Sequence, residues 1–426
     1  MSNKNSKKKI VIFIGAGFST ALTRGNKAPI GLEYLPTLQE FSGIMLEYLK
    51  KFVSKSNGED IPFSKKTILK TINILEQYES TKEIKYNFEE LLSMLTIQAM
   101  LKKSNIISNS IAKENIENIL NCLIFFIPRL FADRLAIDRK LKKNRNFFYA
   151  VNNKNMVRFI QKNIWDLCDN NCVTFISFNY DGLLEAFLDC DLTANQRGER
   201  PVFRYFPEFS HGVQFVMPEH IHFKNGHIFI QDTRDFNRIK ENMPSTPLVL
   251  KPHGSIHFYP VKPEIVKLIN IRWVALHPRF DIGFNPQTMQ RDISDVLSWR
   301  FINPVPLIVP PIINKDDYLK DNYCKKVFKL VANELMQAEK IISLGFSIPR
   351  SDLHIASLLH LIATSKNFGY KSIGIVYKKI ESDITLENWI RIFGEKAIDV
   401  LEENGIPVAN IEDFKNFWDK LIAFIQ

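Results

Sequence analysis

Four short groups of residues along the chain have the types and spacing for chemistry at a sugar or a phosphate. Gly15-Ala16-Gly17-Phe18-Ser19-Thr20 follows an apolar run. Its glycines would let the backbone approach a phosphate, and a helix starting there would offer its first N–H groups. Gly15, Ala16, Gly17, Ser19 and Thr20 are therefore candidate diphosphate-binding residues. A plain tight turn would use the same residues, and Thr20 stands where Gly-x-Gly-x-x-Gly needs its third glycine. Ser177-Phe178-Asn179-Tyr180-Asp181 sets an amide and a carboxylate two residues apart, each able to grip a ribose hydroxyl or a water. Equally, Asn179 could close a turn and Asp181 cap a helix beginning near Leu183. Lys251-Pro252-His253-Gly254-Ser255 offers a histidine, a proton carrier near neutral pH or a structural core residue. Gly345-Phe346-Ser347, with Asp352 after it, is a second glycine-serine turn.

Each group follows a short apolar run of the kind that forms a buried parallel strand. Lys9 to Ile14 is apolar from Ile10 onward, and Cys172 to Phe178, Leu248 to Lys251, Leu307 to Val309 and Lys340 to Leu344 read the same way. Ser372 to Tyr377 is predicted to close the sheet. Val327, Leu330, Val331, Leu335 and Ala338 form the stripe of a crossover helix. Ligands bind beyond the carboxyl ends of such strands, so all four groups point at one crevice. The fold class predicted is α/β, a Rossmann-like parallel sheet flanked by helices.

Between about residues 36 and 154 the apolar spacing turns helical, as in Phe88, Leu91, Leu92 and Leu95, which predicts a helical lobe inserted after the first strand. The catalytic domain should span about 1–380, with a hairpin-containing segment at about 190–247 and a C-terminal helical extension at 381–426. Asn225-Gly226 signals the hairpin, with Lys224 opposite His227. The aromatics Trp389, Phe393, Phe414, Phe417 and Trp418 of the extension either pack on the core or mediate assembly.

A chain with 45% hydrophobic and 24% charged residues has the balance of a globular protein. Its longest apolar stretch, Ile119 to Phe131, contains Asn121, Pro128 and Arg129 and is shorter than the roughly 18 residues a span needs, so no membrane segment is predicted. A polar, basic amino terminus without an apolar signal core predicts a cytoplasmic protein. The five cysteines are scattered, and Cys168 and Cys172 lack a second close pair to complete zinc. A net charge of +10 suggests attraction to polyanions, yet no aromatic-interleaved motif accompanies the basic run from Arg139 to Arg145.

The ordered set resembles the sirtuin-like NAD hydrolases of bacterial anti-phage defence. The resemblance runs from about Lys9 to Tyr377, through Gly15-Ala16-Gly17-Phe18-Ser19, Leu35-Pro36-Thr37-Leu38, Asn87-Phe88-Glu89, Asn179-Tyr180-Asp181, His253-Gly254-Ser255, and Gly345-Phe346-Ser347 with Asp352. It implies that NAD is the substrate and that the first glycine turn holds the diphosphate. Asn179 and Asp181 would hold the nicotinamide ribose and the attacking water, His253 would be catalytic, the Gly345–Ser347 turn would lie near the adenosine ribose, and Asp352 would also bind the cofactor. It also implies homo-oligomers and a partner, such as a HerA-family ATPase or a short Argonaute-type protein, through which any nucleic acid would act. Protein deacylases carry a four-cysteine zinc module that this chain lacks. An ADP-ribosyltransferase would share the whole site, and a non-catalytic NAD- or ADP-ribose-sensing subunit would share its binding half.

The expected chemistry needs no metal: nicotinamide leaves as a neutral base, and the protein holds the oxocarbenium-like ribose and delivers water. Asn179 is expected to orient that water through both its hydrogen-bond functions. Both Asn179 and His253 are expected at the open carboxyl edge of the sheet.

Overall fold

The computed structural model describes residues 7–23, 40–55, 61–80, 88–103, 113–135, 153–189, 211, 221–224, 227–230, 247–263, 266, 273–275, 306–308, 322–349, 352–365, 371–379 and 385–426. Six parallel strands form one sheet: β1 (Lys9–Ile14), β2 (Cys172–Ser177), β5 (Leu248–Leu250), β8 (Lys340–Leu344), β9 (Ser372–Val376) and β10 (Ile398–Glu402). They lie side by side as β5-β2-β1-β8-β9-β10. Counted by their order in the chain, that is 3-2-1-4-5-6, the doubly wound dinucleotide-binding order, with the reversal between β1 and β8.

β1 is central because it is apolar on both faces. Ile10, Ile12 and Ile14 enter one core, and Val11 and Phe13 enter the other, all at most 1% exposed. Burying each such side chain contributes about 1.5–3 kcal/mol. On the isoleucine side lie α1 (Ala16–Thr23), α6 (Lys154–Asn170), α7 (Leu183–Asp189) and α11 (Ile411–Ile425), with the inserted helices beyond. The opposite core takes α8 (Asn322–Gln337), α9 (Leu353–Ala363) and α10 (Thr385–Phe393). Of the crossover stripe on α8, Val327, Val331 and Leu335 are buried, as is Ala338 just beyond its end.

The inserted lobe contains α2 (Phe41–Lys55), α3 (Lys65–Ser80), α4 (Phe88–Lys103) and α5 (Lys113–Leu135). Phe88, Leu91, Leu92 and Leu95 are all buried, as their spacing required. The long apolar stretch is explained in the same way: Leu123, Phe126 and Ile127 of α5 are fully buried in the lobe. No helix among the described residues is long and apolar enough to cross a membrane.

Two sequence expectations are corrected. Of the expected strand Leu307 to Val309, the described residues Leu307 and Ile308 do not join the parallel sheet. Ile308 instead makes an isolated antiparallel bridge to Gly254, because Pro304, Pro306, Pro310 and Pro311 crowd the segment and prolines cannot donate to a ladder. The segment 381–426 is not a helical extension alone, since β10 supplies the sheet's sixth strand. Its aromatics pack inward: Trp389, Phe414, Phe417 and Trp418 are buried, and Phe393 packs against the same core as Trp389.

Two short antiparallel ribbons complete the described elements. β3 (Ile221–Lys224) pairs with β4 (His227–Ile230), with Lys224 opposite His227, and β6 (Phe258–Pro260) pairs with β7 (Trp273–Ala275). The remaining expectations for 190–247, together with Leu35-Pro36-Thr37-Leu38, Asn87 and the basic run from Arg139, lie outside the described residues.

Candidate functional site

At the reversal point the two glycine turns touch. β1 passes into α1 with only Gly15 between them, and the Gly15 N–H donates to the carbonyl of Leu344 at 3.1 Å. A Cβ on Gly15 would lie 2.2 Å from the Gly345 oxygen, and one on Gly17 would lie 2.9 Å from the Gly345 Cα. Gly345 itself has φ +68°, a left-handed conformation that favours glycine. These three glycines are therefore required by backbone packing, whatever they bind. Above the contact, Ala16 and Gly17 are exposed at the start of α1, Thr20 is half-buried and Ser347 is exposed. An exposed helix amino terminus at a reversal point is a ready anion site.

The second turn is held by Asn388, which sequence reasoning passed over, and by Trp389, which it assigned only to packing or assembly. Asn388 Nδ2 donates to the carbonyls of Ser347 and Ile348 at 3.1 and 3.2 Å, and Trp389 Nε1 donates to Phe346 at 3.0 Å. Ile348 has φ +52°, a costly conformation for a β-branched side chain that these bonds from α10 maintain. Rings from three adjacent strands or strand ends stack beneath: Phe13, Phe178 and Phe346 are nearly parallel, the last two with centroids 4.0 Å apart.

Asn179 turns its amide onto the first glycine turn. Nδ2 donates to the Gly15 carbonyl at 2.9 Å and to Ser19 Oγ at 2.8 Å. Because the donor faces a carbonyl, the orientation of the amide is fixed. Ser19 in turn donates to Asp181 Oδ2 at 2.9 Å, and Asp181 Oδ1 accepts from the Leu183 N–H at 3.0 Å. Asn179 thus has only Oδ1 without a partner among the described residues. It can accept from a water or a ribose hydroxyl but has no donor left for it, which corrects the expectation of two free functions. Ser19 and Asp181 spend their side chains on this inner network, and Asp181 also serves the start of α7. Burial pushes the Asp181 carboxyl above its ordinary range, with Lys251 opposing.

His253 and Asp352 meet. Nε2 lies 2.9 Å from Asp352 Oδ2, although the two residues follow β5 and β8, which are separated by β2 and β1. Three strand spacings amount to roughly 14 Å, so the segments after these strands must converge over the carboxyl end of the sheet. At that distance the carboxylate is placed to pair with the imidazole when it is protonated. His253 packs edge-on to Phe178 at 5.1 Å and near Tyr180 at 6.3 Å, the two residues flanking Asn179. Gly254 follows at φ +75°, where a Cβ would lie 1.9 Å from the Leu307 oxygen. The expectation of an open edge is corrected here: Asn179 is 9%, His253 1% and Asp352 0% exposed. Packed aromatic rings, not solvent, surround the histidine.

No protein-family model matches the chain, and no curated protein does either. The site accordingly rests on its own geometry.

Sequence reasoning also missed the charged floor of this region. Lys251 is fully buried and its Nζ lies 2.7 Å from Glu185 Oε1, with His257 and His211 nearby. His257 presses on Gly182, where a Cβ would sit 2.4 Å from Nε2, and neither ring nitrogen has a hydrogen-bond partner among the described residues. Burial first, then Lys251 and His211, pull its pKa down to about 3. Burial likewise takes His211 to about 3, while its contact with the Val249 carbonyl opposes.

A histidine with a depressed native pKa stabilises the fold above its unfolded value near 6.5 and loses that contribution as pH falls toward 3. Asp181 and Glu185, raised by burial, work in the opposite sense, so the histidine effect is best read as a difference. Relative to His257→Gln, the wild type should lose about 2 kcal/mol of stability between about pH 6.5 and 5. Denaturant melts of both proteins at each pH check this; parallel pH dependence would rule it out.

Proposed function

We propose that this chain is an NAD hydrolase that cleaves the nicotinamide–ribose bond, and that it acts as the NAD-depleting effector of an anti-phage defence complex. The observation that carries the reading is the convergence at one reversal point of two glycine turns, the Asn179 amide and the His253–Asp352 pair. The exposed start of α1 is suited to the diphosphate, and Ser347 stands on the facing turn. Asn179 Oδ1 accepts a hydrogen bond from the attacking water or a ribose hydroxyl. His253, with the Asp352 carboxylate beside its Nε2, takes the proton. The stacked Phe178 and Phe346 exclude bulk water around the developing cation. Asp352, expected from the resemblance to bind the cofactor, is better suited to orienting His253.

The burial of His253 and Asp352 supports a chain that is restrained until a partner engages it. In this proposal the partner is a HerA-family ATPase or a short Argonaute-type protein, and the effector assembles as a homo-oligomer in the cytoplasm.

The test is NAD consumption by the purified chain, alone and with the protein encoded beside it, with products resolved by chromatography. Free nicotinamide and free ADP-ribose are expected in equal amounts. Where the isolated chain turns over NAD, a chelator added without ATP should leave the rate unchanged; loss of activity on chelation would refute metal-free cleavage. ADP-ribose conjugates would make the chain a transferase, and binding without consumption in the assembly would make it a sensor.

A further inference from the structure

Lys251 is fully buried, and its ammonium donates to Glu185 Oε1 at 2.7 Å and to the main-chain carbonyl of Asp181 at 2.6 Å. Placing two charges away from water is costly, and an apolar pair of similar volume often does as well or better for stability. Nor is this pair arranged for maximal stability, since Glu185 Oε2 is buried without a partner among the described residues. What the pair does accomplish is geometric. Lys251 stands two residues before His253, and its own carbonyl accepts from the Tyr323 hydroxyl at 2.8 Å and from the Gly254 N–H at 2.9 Å, which fixes the turn carrying the histidine. Its side chain, meanwhile, grips the segment that carries Asn179. Asp181 is held from one side by Lys251 and from the other by Ser19, to which Asn179 is bonded. Lys251 is thus a direct link between the strand end of His253 and the strand end of Asn179.

We infer that Lys251 and Glu185 form a positioning pair that sets Asn179 relative to His253. The expected consequence for turnover rests on the NAD-hydrolase reading; the geometric consequence does not. The variant Lys251→Met/Glu185→Leu removes both charges at similar volume, so neither is left buried alone. Two measurements on it are separable. Hydrogen exchange should accelerate about tenfold or more at the Leu183 amide, bonded to Asp181, and at the Ile256 amide, bonded to the Tyr180 carbonyl, while amides of β1 and β8 keep their protection. The kcat for NAD cleavage should fall about a hundredfold with KM changed less than about threefold, as misplacement of a reacting group produces. Unchanged exchange at both amides overturns the inference, and so does accelerated exchange with an unchanged kcat. If the wild type cleaves NAD neither alone nor assembled with its partner, the reading of function fails and exchange alone decides the pair. Should the double variant not fold, Glu185→Gln, which keeps an acceptor in place, is measured for the same two quantities and should show the same changes at smaller amplitude.

Discussion

Gly15→Ala should destabilise the protein by about 3 kcal/mol or more and abolish its activity. The added carbon would lie 2.2 Å from the Gly345 oxygen, 2.5 Å from the Phe346 Cα and 2.8 Å from the Gly345 carbonyl carbon. All three are backbone atoms, so no rotamer change relieves the clash. The first and second glycine turns must separate, and with them go the Gly15 bond to Leu344 and the bond from Asn179 to the Gly15 carbonyl. Gly394→Ala is the control: that glycine is at φ +82° and ψ 150° with nothing near its would-be Cβ, so it should show backbone strain of about 1–3 kcal/mol without a clash, and full activity. Thermal melts and NAD assays on both variants decide it. A Gly15→Ala protein as stable as the wild type would mean that the turns are not in contact.

The second large effect separates the two candidate catalytic residues by what each leaves behind. Asn179→Ala and His253→Ala should each lower turnover by about a hundredfold or more, and the double variant should be scarcely worse than the weaker single one, because both act on one step. Their costs in stability should differ. Asn179→Ala gives up two hydrogen bonds at the rim of the site, about 1–2 kcal/mol. His253→Ala empties a packed position and leaves Asp352 buried without its imidazole, about 3 kcal/mol or more. Asp352→Asn should retain the fold while losing activity, since an amide cannot stabilise the imidazolium as a carboxylate does. Full turnover in either alanine variant removes that residue from the mechanism.

The legible parts of this fold are those whose signal is local. β1 is a continuous apolar run, β2 and β8 are largely apolar, and the first and last are followed directly by glycine, while α8 carries four of the five stripe residues. β10 was missed because an edge strand needs little apolar character: Ile398-Asp399-Val400-Leu401-Glu402 is half-exposed, with the charged residues that edges tolerate. In the site, the strand-end groups could be gathered into one crevice from the sequence. What those side chains do for one another could not. Asn179 and Ser19 are 160 residues apart, and Lys251 and Glu185 are 66 apart, separations at which no periodicity exists to read. Asp352 illustrates the limit: its position after β8 was evident, whereas its contact with His253 depends on two segments meeting above strands that lie between them.

The 3-2-1-4-5-6 strand order also bears on the chain during its own synthesis. β1 is made first yet occupies the middle of the sheet, and its neighbour across the reversal point, β8, begins at Lys340. Until the ribosome has passed Leu344 there is no second turn for Gly15 to rest against, and until Asp352 has emerged His253 has no carboxylate. A nascent or prematurely terminated chain therefore carries the glycine turn and Asn179 without a crevice to use them in. If the chain hydrolyses NAD as proposed, the order in which the strands are laid down is itself a safeguard for the cell that makes it.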